Sequence, residues 1–193
     1  MKKLVALALA VMMTLSLTAC GGDPVTLSTK SVNGVSIDVP SDFGEFTDQG
    51  SGMLATNEDT SATIIVGIPV DSGGFGPADL DQDSYRQQIF GETDVKFITF
   101  DNAADCNGIP AVFANCELTN SNGVDLTVNT WVLFHEDGTT QTVSLTYTTG
   151  ADTSLEENID AIVSSVKYTR TKAPGLQSER QDCSPILPYG MVK

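Results

Sequence analysis

The chain is 193 residues long, with 10 basic against 25 acidic residues, a formal net charge of −15 and 40% apolar residues. That length and apolar content allow one core of ordinary size and exclude an acidic disordered polymer. The acidic excess repels polyanions and argues against nucleic acid as a partner.

Lys2 and Lys3 open the chain, residues 4–17 are apolar and uncharged, and Leu17-Thr18-Ala19-Cys20 closes the run before Gly21-Gly22-Asp23. A positive start, a brief apolar stretch and small residues before a cut make a secretory signal. The run is short of the roughly 20 apolar residues of a membrane-spanning helix. Leu-Thr-Ala-Cys resembles the bacterial lipobox. The resemblance implies that residues 1–19 are a lipoprotein signal peptide and that Cys20 becomes a diacylglyceryl-bearing N-terminus. Each buried methylene contributes about 0.8 kcal/mol, so two or three acyl chains hold where one is marginal. The expected location is therefore the extracytoplasmic face of a cell membrane, with residues 20–30 as a polar tether.

A domain is expected over residues 31–169. Residues 32–40 read as a first strand, with Asn33-Gly34 at its start and Val35, Ile37 and Val39 alternating with polar residues. Residues 53–57 and 62–70 read as two more strands, the second nearly continuous in apolar character. A loop holding Gly73, Gly74 and Gly76 follows, then a helix over 80–90 with Asp79 or Asp81 as N-cap. Residues 95–100 and 111–118 read as strands, and 124–134 with 140–147 as a hairpin about Asp137-Gly138. A two-residue turn there sets Phe134 opposite Gln141, Val132 opposite Val143 and Val128 opposite Tyr147. The other face then pairs Trp131 with Ser144, Leu133 with Thr142 and His135 with Thr140. Trp131 and Leu133 lie under a helix on that reading, or form an apolar patch for a ligand or partner; Phe75 is a third candidate contact. Thr153 or Ser154, with Glu156 or Glu157, caps a last helix carrying Leu155, Ile159, Ile162, Val163 and Val166 on one stripe. A short strand at 167–169 and an irregular tail over 170–193 complete the chain.

Beyond Cys20 there are three cysteines, Cys106, Cys116 and Cys183. Export permits a disulfide, and Cys106 with Cys116 is the pair nearest in sequence. A two-residue turn at Asn107-Gly108 would instead set Cys106 opposite Ile109.

The order of elements resembles the PsbP/Mog-like fold, a group that includes lipoproteins of the LpqN and DcrB type. The likeness rests on VNGVSIDVPSDF, GIPAVFANCEL and LEENIDAIVSSVKYT, which span residues 32–169. It implies an α+β chain, an antiparallel sheet with helices packed on it as an α/β/α sandwich, and a binding or assembly role with no catalytic motif to carry over.

The chemistry-bearing patterns point the same way. His135 is the only histidine. It sits beside a turn and reads as a surface residue with no nucleophile marked near it. Asp79, Asp81 and Asp83 have the spacing of a calcium loop, but Ser84 and Phe90 stand where glycine and glutamate are required. Acids at a helix start account for them. The glycine-rich loop lacks the Gly-Lys-Ser/Thr ending of a phosphate cradle. No metal or other cofactor is expected. The expectation is a non-enzymatic binding or scaffold module of the cell envelope with an envelope protein as partner, or alternatively an extracytoplasmic binder of a small ligand or divalent cation.

Overall fold

Asn33 and Gly34 sit at φ 49° and 79°, and Asn107 and Gly108 at φ 52° and 85°. Positive φ at both central residues is the backbone of a two-residue hairpin turn whose twist matches the strands it joins. In the computed structural model, which describes residues 25–91, 93–151 and 153–169, each turn builds a hairpin. The first joins β1 (Leu27–Val32) to β2 (Val35–Pro40), with Val32 opposite Val35. Residues 27–30, expected in the tether, are thus strand. Val32, Val35, Ile37 and Val39 are buried beneath the pair. The second turn joins β7 (Lys96–Cys106) to β8 (Ile109–Thr119), setting Cys106 opposite Ile109.

Between these hairpins lie β3 (Thr47–Asp48), β4 (Gly52–Thr56), β5 (Thr63–Gly67), β6 (Val70–Asp71) and α1 (Gln82–Ile89). Asp81 caps α1, its carboxylate accepting from the Ser84 N–H at 2.7 Å. After β8 come β9 (Asp125–Phe134) and β10 (Thr139–Thr148). The last helix divides into α2 (Ser154–Glu157) and α3 (Ile159–Ser165). Asn158 leaves the helical region at φ −112°, ψ 9°. Thr153 caps α2 by accepting from the Glu156 N–H at 3.0 Å. The two-residue β11 (Lys167–Tyr168) then pairs with β2.

The strands form two antiparallel sheets, a small one in the order β1-β2-β11 and a large one in the order β3-β4-β5-β10-β9-β8-β7, with β6 added to β10. One face of the large sheet meets the small sheet and the last helix, in a core holding Ile37, Ile64, Val66, Leu133, Leu145 and Ile162. The other face meets α1 through Tyr85, which packs on Val112, Ala114, Cys116 and Val132. The architecture is an α+β sandwich with helices on both faces of an antiparallel sheet.

The β9–β10 register differs by one residue from the sequence reading. Phe134 lies opposite Thr140, Leu133 opposite Gln141, Val132 opposite Thr142 and Trp131 opposite Val143. The turn holds three residues, Glu136, Asp137 and Gly138, closed by the His135 N–H donating to the Thr139 carbonyl at 2.9 Å. Only Gly138 takes positive φ, 82°. Asp137 keeps negative φ, so the two-residue turn is not formed, and its Oδ1 accepts instead from the Thr139 N–H and hydroxyl. Because side chains alternate faces, the slip moves Trp131 and Leu133 to the side of Val143. Trp131 is 6% exposed and Leu133 0%, and Trp131 stacks on Phe113 at 4.7 Å between ring centroids. The proposed apolar patch is therefore core.

Trp131→Ala should cost about 3–5 kcal/mol by urea unfolding, the range for emptying a buried aromatic site. Phe75→Ala, at a residue 62% exposed, should stay within about 0.5 kcal/mol of the parent.

Candidate functional site

Three pieces of chain converge at one end of the large sheet: the Asn107-Gly108 turn, the turn after β9, and β11. Between them runs a groove of about 520 Å³, lined among others by Ile109, Pro110, Phe134, His135, Asp137 and Tyr168. That volume lies in the range of small-ligand sites.

The wall is built from the inside outward. Gln141 points into the main core beside Val143 and Leu145, only 2% exposed. Its amide nitrogen donates to the Asn33 carbonyl at 3.0 Å and the Gly67 carbonyl at 2.8 Å. Its Oε1 faces His135 Nε2 at 3.2 Å. His135, expected on the surface opposite Thr140, is 7% exposed, and its ring lies flat on Tyr168, with centroids 3.7 Å apart and planes 16° from parallel. The Tyr168 hydroxyl donates to Asp137 Oδ2 at 2.8 Å. On the opposite wall the Asn107 amide donates to the Val166 carbonyl at 2.8 Å, and Asp105 accepts from the Gly108 N–H at 2.7 Å.

Burial pushes His135 below the usual histidine value, against opposing pulls from the Gln141 hydrogen bond and the Asp137 carboxylate. Hydrogen bonds from Thr139 and Tyr168 hold Asp137 below the usual carboxylate range. Among the described residues, neither nitrogen of the His135 ring meets a hydroxyl or thiol, the contact a base-activated nucleophile requires. The arrangement is a walled groove with an aromatic side and an exposed cation, Lys167, at its edge.

The other residues singled out from the sequence lie elsewhere. Trp131 and Leu133 are in the core, and Phe75 is exposed on its loop, outside the groove. Cys106 and Cys116 are separate buried thiols. Cys106 belongs to the main core, while Cys116 belongs to the cluster under α1, on the opposite face of the sheet. Because Cys106 faces Ile109, the two lie about 24 Å apart along the strands, far beyond the roughly 4.4–6.8 Å between Cα atoms that a disulfide spans. Burial pushes the Cys106 thiol up to about 12 and the Cys116 thiol up to about 11. Cys20 and Cys183 lie outside the described residues. Among the described residues, no three His, Cys, Asp or Glu side chains converge as metal ligands. The sequence reading missed Gln141, Tyr168, Asn107 and Lys167. The one signal available was Gln141, a lone amide in the alternating row with Val143, Leu145 and Tyr147.

A second depression, of about 270 Å³, lies at the other end of the sheet. Lys96 pairs with Glu117 there at 2.8 Å, and Asp125 accepts from the Thr119 hydroxyl at 2.7 Å.

No family model matches the chain and no curated protein matches it. Solved structures do. The solution structure of cyanobacterial PsbP (CyanoP) from Synechocystis sp. PCC 6803 is 16% identical with a TM-score of 0.53, covering 79% of this chain and 98% of that one. The Ran-binding protein Mog1p of Saccharomyces cerevisiae is 13% identical with a TM-score of 0.51, covering 75% and 97%. LpqN of Mycobacterium tuberculosis, described as involved in cell envelope biogenesis, is 17% identical with a TM-score of 0.48, covering 77% and 87%. The first two share this chain's fold, so the PsbP/Mog-like architecture expected from the sequence is the one observed.

Two measurements bear on the site. Native protein should keep Cys106 and Cys116 unmodified by iodoacetamide at pH 8. After unfolding without reductant, the tryptic peptide 97–167 should gain two alkyl groups; a peptide that stays unalkylated would restore the disulfide. The second is pH-dependent stability. A histidine whose folded pKa is depressed gives stability that is complete above its unfolded pKa, about 6.5, and is lost as pH falls through the folded value. The melting temperature of the parent should therefore fall relative to His135→Gln as pH drops below that value. Glutamine keeps the donor to Gln141 and removes the titration.

Proposed function

We propose that this chain is a non-enzymatic binding module, held at the extracytoplasmic face of a cell membrane by a lipid on Cys20, and that its partner docks in the His135 groove. The observation that carries the reading is the groove's place relative to the chain's point of arrival. β1 runs from Leu27 to Val32 and ends at the Asn33-Gly34 turn, whose Asn33 carbonyl meets Gln141 behind the groove wall. Leu27, where the chain comes into the domain, is five residues back, about 17 Å from that end. A tether reaching Leu27 from Cys20 therefore joins the domain at the end of β1 remote from the groove. The sequence of residues 2–20 supports the anchor, since it has the charge, apolar run and small residues of an exported, lipid-modified leader. The groove supports binding rather than turnover, because its polar groups hold one another in place and its histidine is committed to an amide and a phenol ring. In Mog1p the same fold binds Ran, so its surface is able to serve as a docking scaffold.

The test uses the full-length protein in its membrane. Labelled palmitate should enter the parent and not Cys20→Ala, and the variant should leave the membrane fraction. A photo-reactive residue at Pro110, on the groove wall, should cross-link to a discrete partner. The same residue at Asn122, in the β8–β9 turn at the other end, should not. Equal cross-linking at both positions, or at neither, overturns the docking assignment. Equal palmitate in both forms overturns the anchor.

A further inference from the structure

The sequence holds three Asn-Gly steps, Asn33-Gly34, Asn107-Gly108 and Asn122-Gly123. An asparagine before glycine is a chemical weak point. Glycine has no side chain to crowd its own nitrogen, and it leaves the backbone free to turn. That nitrogen then reaches the asparagine Cγ, and asparagine is accordingly a thermolabile residue. In a folded protein the outcome depends on what holds the amide and the backbone beside it.

Two of the three steps are held. Asn33 and Asn107 are the first residues of two-residue turns, closed by the pairs Val32 with Val35 and Cys106 with Ile109. Their backbones do not rotate unless a hairpin opens. Their side chains are bound as well. The Asn33 amide donates to the Val66 carbonyl at 2.9 Å and the Gly67 carbonyl at 3.2 Å, and its own main-chain carbonyl accepts from Gln141. The Asn107 amide donates to the Val166 carbonyl at 2.8 Å, and the Gly108 N–H donates to Asp105 at 2.7 Å.

Asn122 differs in each respect. The last β8–β9 pair is Thr119 with Asp125, so Asn122 lies in a longer turn, of which residues 121–124 are exposed. Its side-chain amide has no hydrogen-bond partner among the described residues. The neighbouring Asn120 is fixed, because its Oδ1 accepts from the Asn122 and Val124 N–H groups at 2.9 and 3.0 Å. One bond stands in the way at Asn122-Gly123: the Gly123 N–H donates to the Asn120 carbonyl at 3.0 Å, in a turn open to water.

We propose that Asn122 is a site of spontaneous deamidation in the folded protein and that the fold protects Asn33 and Asn107 from the same reaction. The Gly123 nitrogen gives its proton to hydroxide and attacks Asn122 Cγ. The new C–N bond closes a succinimide ring. The bond from Cγ to Nδ2 breaks, and the departing nitrogen takes a proton from water and leaves as ammonia. Water then opens the ring at either carbonyl, giving aspartate or isoaspartate. Both products add a negative charge, and isoaspartate also adds a methylene to the backbone of the turn. Asn107 lines the His135 groove and Asn33 stands behind it, so the protected steps are the ones at the groove. The assignment does not rest on the docking role proposed for that groove.

The test ages the full chain at mildly alkaline pH, folded or in urea, and locates the products by mass-spectrometric fragmentation. In the folded protein Asn122 should convert to aspartate and isoaspartate. Asn33 and Asn107 should convert at least about tenfold more slowly, the factor that one well-made hydrogen bond adds to a barrier. In urea the three steps should convert at similar rates. In Asn122→Gln, whose longer side chain must close a larger ring, the acidic species seen on ion exchange of the aged folded parent should not appear. The melting temperature of this variant should match the parent. Equal rates at the three steps in the folded protein, or conversion of Asn33 or Asn107 ahead of Asn122, overturn the assignment. So does a folded Asn122 that stays intact while the chain in urea reacts, or an acidic species that persists in Asn122→Gln.

Discussion

The glycine that closes the turn between β9 and β10 sets which faces of those strands meet the core. Gly138 at φ 82° lets a three-residue turn close. Three residues rather than two decide which side of β9 meets which side of β10. With this register Trp131 and Leu133 join Val143 and Leu145 beneath the small sheet, and Val132 faces α1. The other register would turn an indole and a leucine outward and set β9's two faces against the wrong layers. Asp137 reinforces the choice from within the turn, because its carboxylate takes the Thr139 N–H and hydroxyl on one oxygen and leaves the other for Tyr168.

The same register sends Gln141 inward, where an amide must find partners or cost stability. It finds them in three places: the β1–β2 turn at Asn33, the end of β5 at Gly67, and His135. One buried side chain thus ties the small sheet to the large one and orients the histidine. The Asn33 amide reciprocates by donating to the Val66 carbonyl at 2.9 Å. Apolar packing in the main core accounts for the sandwich, but it does not distinguish one end from the other. The polar joint does, and the groove has formed where that joint reaches the surface.

Much of this was legible in the chain. Alternation placed β2 and β10, the amphipathic stripe placed the last helix, and Asn107-Gly108 gave its turn and the pairing of Cys106 with Ile109. The fold class followed from the order of those elements. The site was not legible, for two physical reasons. Asp137-Gly138 serves equally as the core of a two-residue turn or as the last two residues of a three-residue one, and a one-residue error inverts every face assignment beyond it. His135 and Tyr168 are 33 positions apart, and their contact depends on a two-residue strand held by a neighbouring hairpin, a relation that no periodicity encodes. Residues 27–30 were missed for a related reason: Leu27, Ser28, Thr29 and Lys30 are too polar to announce a strand, and they pair only because β2 offers them an edge.

The two ends of the large sheet also differ in what their charges are free to do. Among the described residues there are four lysines and arginines, Lys30, Arg86, Lys96 and Lys167. Lys30 pairs with Glu45 and Lys96 with Glu117. Arg86 donates to the Val95 carbonyl and lies over the Phe97 ring. These three fasten one element to another, and Lys96 meets its partner Glu117 within the depression they line. Lys167 has no such duty among the described residues and stands at the groove instead. On a protein this acidic, a cation left unmatched beside an aromatic wall is a local exception to the surrounding field. It falls at the end of the large sheet where three turns, a two-residue strand and the buried His135 come together.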